Sequence, residues 1–384
     1  MANPKTPYIL ISGFNIYDNN RGTAALSYGA ISFLKSRGYI DERFEIITLR
    51  PYKRFTKSKY RKDEIEYIDI EGTKWKHRTK NIFWYSWLIL VKWGISLPII
   101  GLSKTLKQIR YVAAINGGDG FSDIYSTNTF LQRLYDIRIA ISHHIPVILL
   151  PQTIGPFQHP KNKIIADKIL IYAQSIYIRD DKYIKELDKL GVSYEITNDL
   201  SYYMSPQPFN INIKPHAIGI NISGLAYSNR FRTLSGQFDN YKYLINRIIQ
   251  EFQKINIPIY LIPHSYNYFK YEKDNDDLEA IRDTYNSLKD KNNVIMVDMN
   301  LISPKQKYII SQMNYFIGTR MHANFAAIFT KVPVFGLAYS YKFEGAFNKN
   351  GIYGQTAMIN NISKEEANII VSNIISNYKS IVKQ

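Results

Sequence analysis

The sequence predicts an α/β protein with two Rossmann-like domains that face a cleft. Short apolar runs of strand length alternate with helical stretches along most of the 384 residues, and a proline-rich break divides these repeats into two sets. Continuous apolar strands that alternate with helices are typical of a parallel sheet covered on both faces. The length also exceeds that of a usual single domain, although one compact domain is the alternative.

The first domain is predicted over residues 1–205. It opens with the apolar run YILISGF, which is followed by a polar loop and a stretch with apolar residues at helical spacing. Further strand-like runs follow at 111–118, 146–155 and 175–178, the last of them before a helical stretch.

The break lies at residues 204–215, where three prolines interrupt the pattern and no helical period is present. The second domain is predicted over residues 214–384. Its strand-like runs are AIGINIS, PIYLIPHS, NVIMVD, YFIGTR and VPVFGLAY, and its helical stretches lie around 239–255, 276–289, 304–313 and 321–330.

Composition narrows the chemistry. The chain has no cysteine, which excludes disulfides, thiolate metal sites and cysteine nucleophiles. Its net charge of +17 attracts anions such as phosphorylated substrates, nucleic acid or acidic lipid. Nucleic acid is not expected as a partner because the sequence has neither zinc-finger spacing nor an aromatic ribonucleoprotein motif. The N-terminus lacks the pattern of a secretory signal, so a cytoplasmic location is expected.

Ligands of open parallel sheets bind beyond the carboxyl ends of the strands, so polar residues directly after strands are the candidates for a site. Glycines at these points let a ligand approach the backbone, although a tight turn explains them equally well. The candidates are Asp18, Asn116, Gly117, Gly118, Asp119, Gln152, Arg179 and His264.

The motif Gly318-Thr319-Arg320-Met321-His322 follows the strand YFI and opens a helix. The N-terminus of a helix presents unpaired N–H groups and partial positive charge, to which Arg320 adds a fork of donors and His322 a proton carrier. This combination favours an anion site. The alternative is that Arg320 pairs with a carboxylate at the core edge and His322 caps the helix, just as Arg179 could pair with neighbouring aspartates.

The acidic run Asp274–Asp277 invites comparison with a cation site. It lacks the glycine and the ligand spacing of a calcium loop, and solvated acids at a helix start explain it. The pair His143-His144, at the end of a helical stretch, is expected at the surface. No metal site is therefore predicted.

Six short motifs occur in the order found in the polysaccharide pyruvyl transferase family, which this sequence resembles from about residue 10 to 345. The motifs are Asn116-Gly117-Gly118-Asp119, the stretch 150–156, Ile178-Arg179-Asp180, Pro263-His264, Gly318-Thr319-Arg320-Met321-His322 and Ala338-Tyr339-Ser340-Tyr341-Lys342. The resemblance implies a fold similar to that of two-domain (GT-B-type) glycosyltransferases. It also implies transfer of the pyruvyl group of phosphoenolpyruvate to a sugar of a capsule, an exopolysaccharide or the cell wall.

The resemblance also implies roles for these residues. Arg320, Met321 and His322 would hold phosphoenolpyruvate, with Arg179 reaching it from the first domain and Lys342 as a weaker contact. Two arginines and a helix N-terminus match the carboxylate and the phosphate of this donor, so neither a metal nor another cofactor is expected.

For the reaction, the resemblance implies that His322 acts as an acid or phosphate partner and Asp119 as the base on the acceptor side. Asn116, Gln152 and His264 would orient the substrates. Members of the family resemble one another in an Asn-x-Gly-Asp turn, where this chain has Thr23 in place of the aspartate. Asp18 is therefore an alternative to Asp119.

Two other functions fit the same pattern. A nucleotide-sugar glycosyltransferase would share the fold, although it commonly needs an acidic residue for the ribose, where this chain has a basic motif. A non-catalytic protein that binds anionic glycans would suit the charge of the chain.

Residues 50–102 depart from the alternating pattern of the first domain. Seven basic residues and no acid lie within residues 50–62, Lys74, Lys76, Arg78 and Lys80 follow, and three of the four tryptophans lie within residues 81–102. Lys92, Gly94 and Pro98 argue against a spanning helix. Tryptophan and basic residues favour a peripheral attachment to an anionic membrane surface, where a lipid-linked acceptor would be met. The alternative is a buried helical pair.

Overall fold

The computed structural model describes residues 6–52, 62–93, 95, 103–340 and 342–382. Two compact units make up the chain. Unit 1 comprises residues 1–16 and 25–204, and unit 2 comprises residues 17–24 and 205–384. The predicted first domain, residues 1–205, does not separate the segment Tyr17–Ala24, whose contacts place it in unit 2.

Unit 1 is an α/β unit in which helices connect most of the strands. Its elements are β1 (Tyr8–Ser12), α1 (Arg21–Ser36, of which the first residues group with unit 2), β2 (Glu45–Tyr52), β3 (Glu64–Ile70), β4 (Thr73–Phe83), α2 (Trp84–Trp93), α3 (Ser103–Leu106), β5 (Ile109–Ala114), α4 (Thr127–Arg133), α5 (Tyr135–Ser142), β6 (Val147–Gln152), α6 (Pro160–Tyr172), β7 (Ser175–Ile178), α7 (Ile184–Leu190) and β8 (Glu195–Ile196).

The sheet of unit 1 has the strand order β3-β4-β2-β1-β5-β6-β7-β8. Apart from β3, which is antiparallel to β4, the described strands pair in parallel. The six strands from β4 to β7 have the Rossmann order 3-2-1-4-5-6, in which β4 occupies the position of the third strand. The β3–β4 hairpin turns at Glu71 and Gly72, which both have positive φ, as a two-residue type I′ turn requires.

Unit 2 repeats the same plan with one fully parallel sheet. Its strand order, β11-β10-β9-β12-β13-β14, is again the Rossmann order. Its elements are β9 (Ile218–Asn221), α8 (Gly224–Ser228), α9 (Tyr241–Lys254), β10 (Ile259–Leu261), α10 (Asp277–Ser287), β11 (Val294–Met296), α11 (Ser303–Ser311), β12 (Tyr315–Gly318), α12 (Met321–Phe329), β13 (Val334–Ala338), α13 (Lys342–Lys349), β14 (Thr356–Met358) and α14 (Lys364–Val382).

The central strands of each sheet are buried on both faces, which explains why these strands are continuously apolar. In β1, Leu10 belongs to one hydrophobic cluster while Ile9 and Ile11 belong to another. In β12, Ile317 and Phe316 divide in the same way between the two clusters of unit 2. Successive side chains of a strand point to opposite faces, so the alternation shows a covered sheet. The predicted α/β class with two Rossmann-like units is confirmed.

In each sheet the order in which successive strands are added changes side at one pair of central strands. Rossmann folds bind ligands at this point. In unit 1 the two strands are β1 and β5, and in unit 2 they are β9 and β12. The loops that follow these four strands hold most of the candidate residues.

The tryptophan-rich segment forms the helix α2, which packs into unit 1 by one side. Leu90 and Val91 are buried, and Arg138 of α5 donates to the carbonyl oxygen of Leu90 over 2.8 Å. Trp93, in contrast, is 65% exposed. Among the described residues, the helices are too short or too polar to cross a membrane. Of the predicted basic segment, residues 53–61 lie outside the described residues, as do Gly94 and residues 96–102, which include Pro98.

Candidate active site

In unit 2, Arg320 and His322 lie at the start of α12, directly after the central strand β12. Arg320 is the N-cap residue of the helix, and its backbone N–H donates to Oδ1 of Asn221, at the end of the neighbouring strand β9, over 2.9 Å. The buried amide of Asn221 therefore fixes the helix start against the sheet.

The side chain of Arg320 is anchored by a buried carboxylate. Its Nε and Nη2 donate to Oδ1 of Asp277 over 3.0 and 2.7 Å, and Nη2 also donates to Asn275. Burial opposes the charge of Arg320, but Asp277 outweighs it and raises the pKa of the guanidinium. Arg320 therefore pairs with a carboxylate, as the alternative interpretation of the sequence expects. Its Nη1 atom forms no hydrogen bond with the described residues.

Asp277 joins several loops of unit 2. Besides Arg320, its carboxylate accepts hydrogen bonds from the backbone N–H groups of Gly224, His264 and Ser265 and from the side chain of Asn221.

Asp276 caps α10 by accepting from the N–H groups of Leu278 and Glu279. Both aspartates are buried, so the expectation of solvated acids is wrong for them. The loop N–H groups need these carboxylates as acceptors.

His322 packs against the start of α1. A Cβ atom at Gly22 would lie 2.5 Å from Cγ and 2.6 Å from Nδ1 of His322. Atoms that are not bonded to each other do not approach this closely. The ring of Phe325 meets the imidazole edge to face at 5.7 Å. Glycine at position 22 therefore makes room for the imidazole.

The segment around Gly22 is held in unit 2 by Arg21, which the sequence analysis missed. Its Nε donates to the carbonyl oxygen of Leu301 over 2.7 Å, and its Nη1 donates to that of Asp18 over 2.6 Å. The Oδ1 atom of Asp18 accepts from the N–H of Asn20 over 2.9 Å. The structure thus gives Asp18 a role in shaping this loop.

His264 lies after β10, and its carbonyl oxygen accepts from the N–H of Arg21 over 2.9 Å. Burial lowers the pKa of His264 well below its usual value, and the positive charges of His322, Arg320 and Arg21 lower it further. The imidazole is therefore neutral at pH 7.

This pKa predicts how stability depends on pH. In the unfolded chain the imidazole binds a proton with the ordinary pKa of 6.5, whereas in the folded chain it does so only at lower pH. Below pH 6.5 protonation therefore stabilises the unfolded state relative to the folded one. Stability from this group is complete above pH 6.5 and is lost as the pH falls toward the folded pKa. We expect His264→Gln to flatten the fall in urea midpoint between pH 7 and 5. Parallel curves for the two proteins would contradict this.

In unit 1, Asn116 and Gln152 tie together the ends of two strands. Nδ2 of Asn116 donates to Oε1 of Gln152 over 3.0 Å, and Nε2 of Gln152 donates to the carbonyl oxygens of Ala114 and Leu150. Gln152 is fully buried. Gly117 and Gly118 follow with positive φ, so the turn needs glycine for its conformation. These contacts give Asn116 and Gln152 a structural role, and a role in substrate orientation stays a prediction.

Arg179 also lies in unit 1, and it is paired inside the unit rather than at the surface. Its Nη1 donates to Asp199 over 2.6 Å and its Nε to Thr153 over 3.0 Å. Burial opposes its charge, but Asp199, Asp119 and Asp180 together raise its pKa. Asp199, which is distant in the sequence, thus bonds to Arg179, and the neighbouring Asp180 acts on it through its charge.

Asp119 accepts a hydrogen bond from the hydroxyl of Tyr125 over 2.8 Å. In unit 2, Met321 is the first residue of α12 and is partly buried against the apolar core. The side chain of Lys342 lies outside the described residues, so its predicted contact with the donor stays a prediction. In the part of the chain that the structure describes, no group of three or more His, Asp or Glu residues is placed to hold a metal ion.

The chain is similar to several known proteins in sequence or in fold. A curated relative, the amylovoran biosynthesis protein AmsJ of Erwinia amylovora, is 20% identical over 306 residues, which cover 76% of this chain and 72% of AmsJ. Among solved structures, the UDP-GlcNAc 2-epimerase of Methanocaldococcus jannaschii aligns with a TM-score of 0.54 at 12% identity and covers 96% of this chain and 92% of its own.

The UDP-GlcNAc 2-epimerase of Neisseria meningitidis, solved with UDP-GlcNAc, aligns with a TM-score of 0.50 at 10% identity and covers 97% of this chain and 93% of its own. These two likenesses concern the fold alone. The family model described as polysaccharide pyruvyl transferase matches residues 20–341. This range contains all the residues of the six sequence motifs except Lys342. The chain therefore belongs to the polysaccharide pyruvyl transferase family.

Proposed function

We propose that this protein transfers the pyruvyl group of phosphoenolpyruvate to a sugar of a bacterial surface polysaccharide or of its lipid-linked precursor. The product is a cyclic ketal, and phosphate is released. The observation that carries the proposal is the geometry at the start of α12, where Arg320 and His322 directly follow the central strand β12.

This part of unit 2 suits a small molecule with two anionic groups. The first N–H groups of α12 have no partners within the helix, and the helix dipole favours negative charge there. Arg21 bonds to carbonyl oxygens and to the amide of Asn300 rather than to a carboxylate, so its charge is not neutralised by those contacts. Phosphoenolpyruvate, with a carboxylate and a phosphate, matches this donor set.

The reaction needs an acid, a base and a phosphate clamp. One sugar hydroxyl adds to C2 of phosphoenolpyruvate and gives up its proton to a base, while C3 gains a proton. A second hydroxyl then attacks C2 and loses its proton, and phosphate leaves as the ketal closes. We assign the clamp to Arg320, the acid or phosphate contact to His322, and the acceptor-side base to Asp119 of unit 1. General acid or base groups typically contribute ~10²- to 10⁴-fold.

The direct test measures phosphate release from phosphoenolpyruvate with and without bacterial glycan acceptors, followed by mass spectrometry of the glycan. We expect release only with an acceptor, together with a gain of a pyruvyl ketal. Because the clamp consists of arginine and backbone donors, we expect turnover to survive EDTA. Sugar transfer from a nucleotide sugar, with phosphoenolpyruvate inert toward every acceptor, would overturn the proposal.

Ligand-dependent unfolding gives an independent test that needs no acceptor. A ligand at one hundred times its Kd stabilises the folded state by about 2.7 kcal/mol. We expect phosphoenolpyruvate to raise the unfolding midpoint, and UDP or GDP to leave it unchanged. The reverse result would favour a nucleotide-sugar enzyme.

We further propose that the enzyme works in the cytoplasm on the inner leaflet, where a lipid-linked acceptor is found. The exposed Trp93 and Tyr85 of α2 support this, because tryptophan and tyrosine favour the membrane interface. We expect salt-sensitive sedimentation with anionic liposomes, weakened when Lys53, Arg54, Lys57 and Lys59 are replaced by serine. Equal recovery in the supernatant at every lipid composition would favour a soluble acceptor.

A further inference from the structure

Arg133 ends α4 and packs against the turn that follows β5 in unit 1. A Cβ atom at Gly120 would overlap Nη1 of Arg133 and the carbonyl oxygen of Asn116, and one at Gly117 would lie 3.8 Å from Nη2. Unlike Gly117, Gly120 has no positive φ, so its backbone does not require glycine. Glycine at position 120 is explained by the room that the guanidinium and the turn need.

The guanidinium of Arg133 lacks the partners that other buried arginines have. Arg179 bonds to Asp199 and Arg320 to Asp277, whereas Arg133 forms no hydrogen bond or ion pair with any residue that the structure describes. Its Nη1 is buried. The residues outside the described ranges include no Asp or Glu, so they offer no carboxylate side chain either. A half-buried charge without a counter-charge is costly unless a ligand supplies it.

Tyr125 connects Arg133 to Asp119. The guanidinium lies over the ring of Tyr125, 5.2 Å from its centroid, and the hydroxyl donates to Asp119 over 2.8 Å. Burial and the charge of Asp119 raise the pKa of Tyr125 to about 12, so the hydroxyl keeps its proton. One tyrosine therefore holds the proposed base at its hydroxyl and the unpaired cation over its ring.

We infer that Arg133 binds an anionic group, a phosphate or a carboxylate, on the acceptor sugar. Naming the ligand as the acceptor rests on the proposed function. A guanidinium presents two parallel N–H donors that match either anion. A sugar with such a group beside its reactive hydroxyls can meet Arg133 and Asp119 together. A basic residue in the last turn of a helix also complements the helix dipole, but that role needs no burial against Gly120.

The test is calorimetric titration of the full chain, with phosphoenolpyruvate present in excess, using glucose 1-phosphate, glucuronate and neutral methyl glucoside. We expect one of the two anionic sugars to bind more tightly than the neutral one, and the tighter of the two identifies the anion. Arg133→Gln should weaken that binding at least tenfold, and Arg133→Lys should weaken it less. The matched control is Arg110→Gln, at the other end of β5, which should change nothing.

Two further measurements separate this inference from the proposed function. Binding of phosphoenolpyruvate alone should be the same in wild type and Arg133→Gln, and its absence in both would count against the donor but not against Arg133. Affinity for the anionic sugar, measured again without phosphoenolpyruvate, should still be lower in Arg133→Gln than in wild type. Equal affinity of wild type and Arg133→Gln for all three sugars, in proteins with the same unfolding midpoint, would overturn the inference.

Discussion

Replacing Arg320 by alanine is expected to abolish turnover and also to lower the free energy of unfolding by about 3–5 kcal/mol, the usual effect of breaking a buried ion pair. From the sequence alone, loss of Arg320 is expected to remove anion contacts and leave the protein folded. The structure corrects this, because Asp277 is fully buried and would lose the partner that Nε and Nη2 of Arg320 provide.

His322→Ala is the matched comparison. His322 is not ion-paired with Asp277, so we expect turnover to fall by ~10²- to 10⁴-fold with little change in the free energy of unfolding. Arg320→Lys should keep part of the stability and little of the activity, because an ammonium cannot replace a bidentate fork. Turnover at saturating donor and urea unfolding, measured on all three variants, test this. Near-normal turnover in either alanine variant would move the donor site elsewhere.

The two Rossmann-like units follow from the sequence because their strands are buried on both faces and are therefore continuously apolar. The strand β4 is not continuously apolar, so this pattern does not identify it. Lys74, Lys76, Arg78 and Lys80 alternate with less polar residues, and the sequence analysis counts them as part of a basic surface for a membrane. Their spacing of two residues is the signal of a strand with one covered face.

The structure shows what the alternation means. Trp75 and His77, between the basic residues, are buried, and the basic side chains meet acids of neighbouring strands. Lys76 and Arg78 pair with Glu45, and Lys80 pairs with Asp63 over 3.0 Å. Three of the four basic side chains of β4 thus have an ion-pair partner, and the membrane proposal depends mainly on residues 53–61 and on α2.

The motif of residues 318–322 is visible in the sequence because its parts are adjacent, whereas the residues that support it are not. Arg320 and His322 directly follow a strand, and this position identifies them. Asp277 lies in a run of acids that resembles a solvated helix start, and Arg21 lies 280 residues before its partner Leu301 in the sequence. Only the fold brings Asp277 to Arg320 and Arg21 to Leu301, so local sequence offered no signal of these contacts.

Gly22→Ala should reduce turnover although position 22 has no side chain to lose. The added Cβ atom would lie 2.5 Å from the ring of His322, so the imidazole must shift by a distance on the order of 1 Å. A displacement of that size at a catalytic group costs ~10²-fold in rate. Overpacking of this kind also costs about 1–3 kcal/mol of stability. Turnover at saturating donor, together with urea unfolding, measures both effects.

Gly345→Ala is the matched control, because Gly345 also lies in a helix and a Cβ atom there would meet nothing within 4 Å. Alanine is the better helix former, so this variant should be as stable as wild type or more stable, by up to about 1 kcal/mol, with unchanged turnover. If Gly22→Ala and Gly345→Ala turn over equally fast, the position of the His322 ring does not limit the reaction. The assignment of His322 would then pass to another group in unit 2, for which the neutral imidazole of His264 is the nearest candidate.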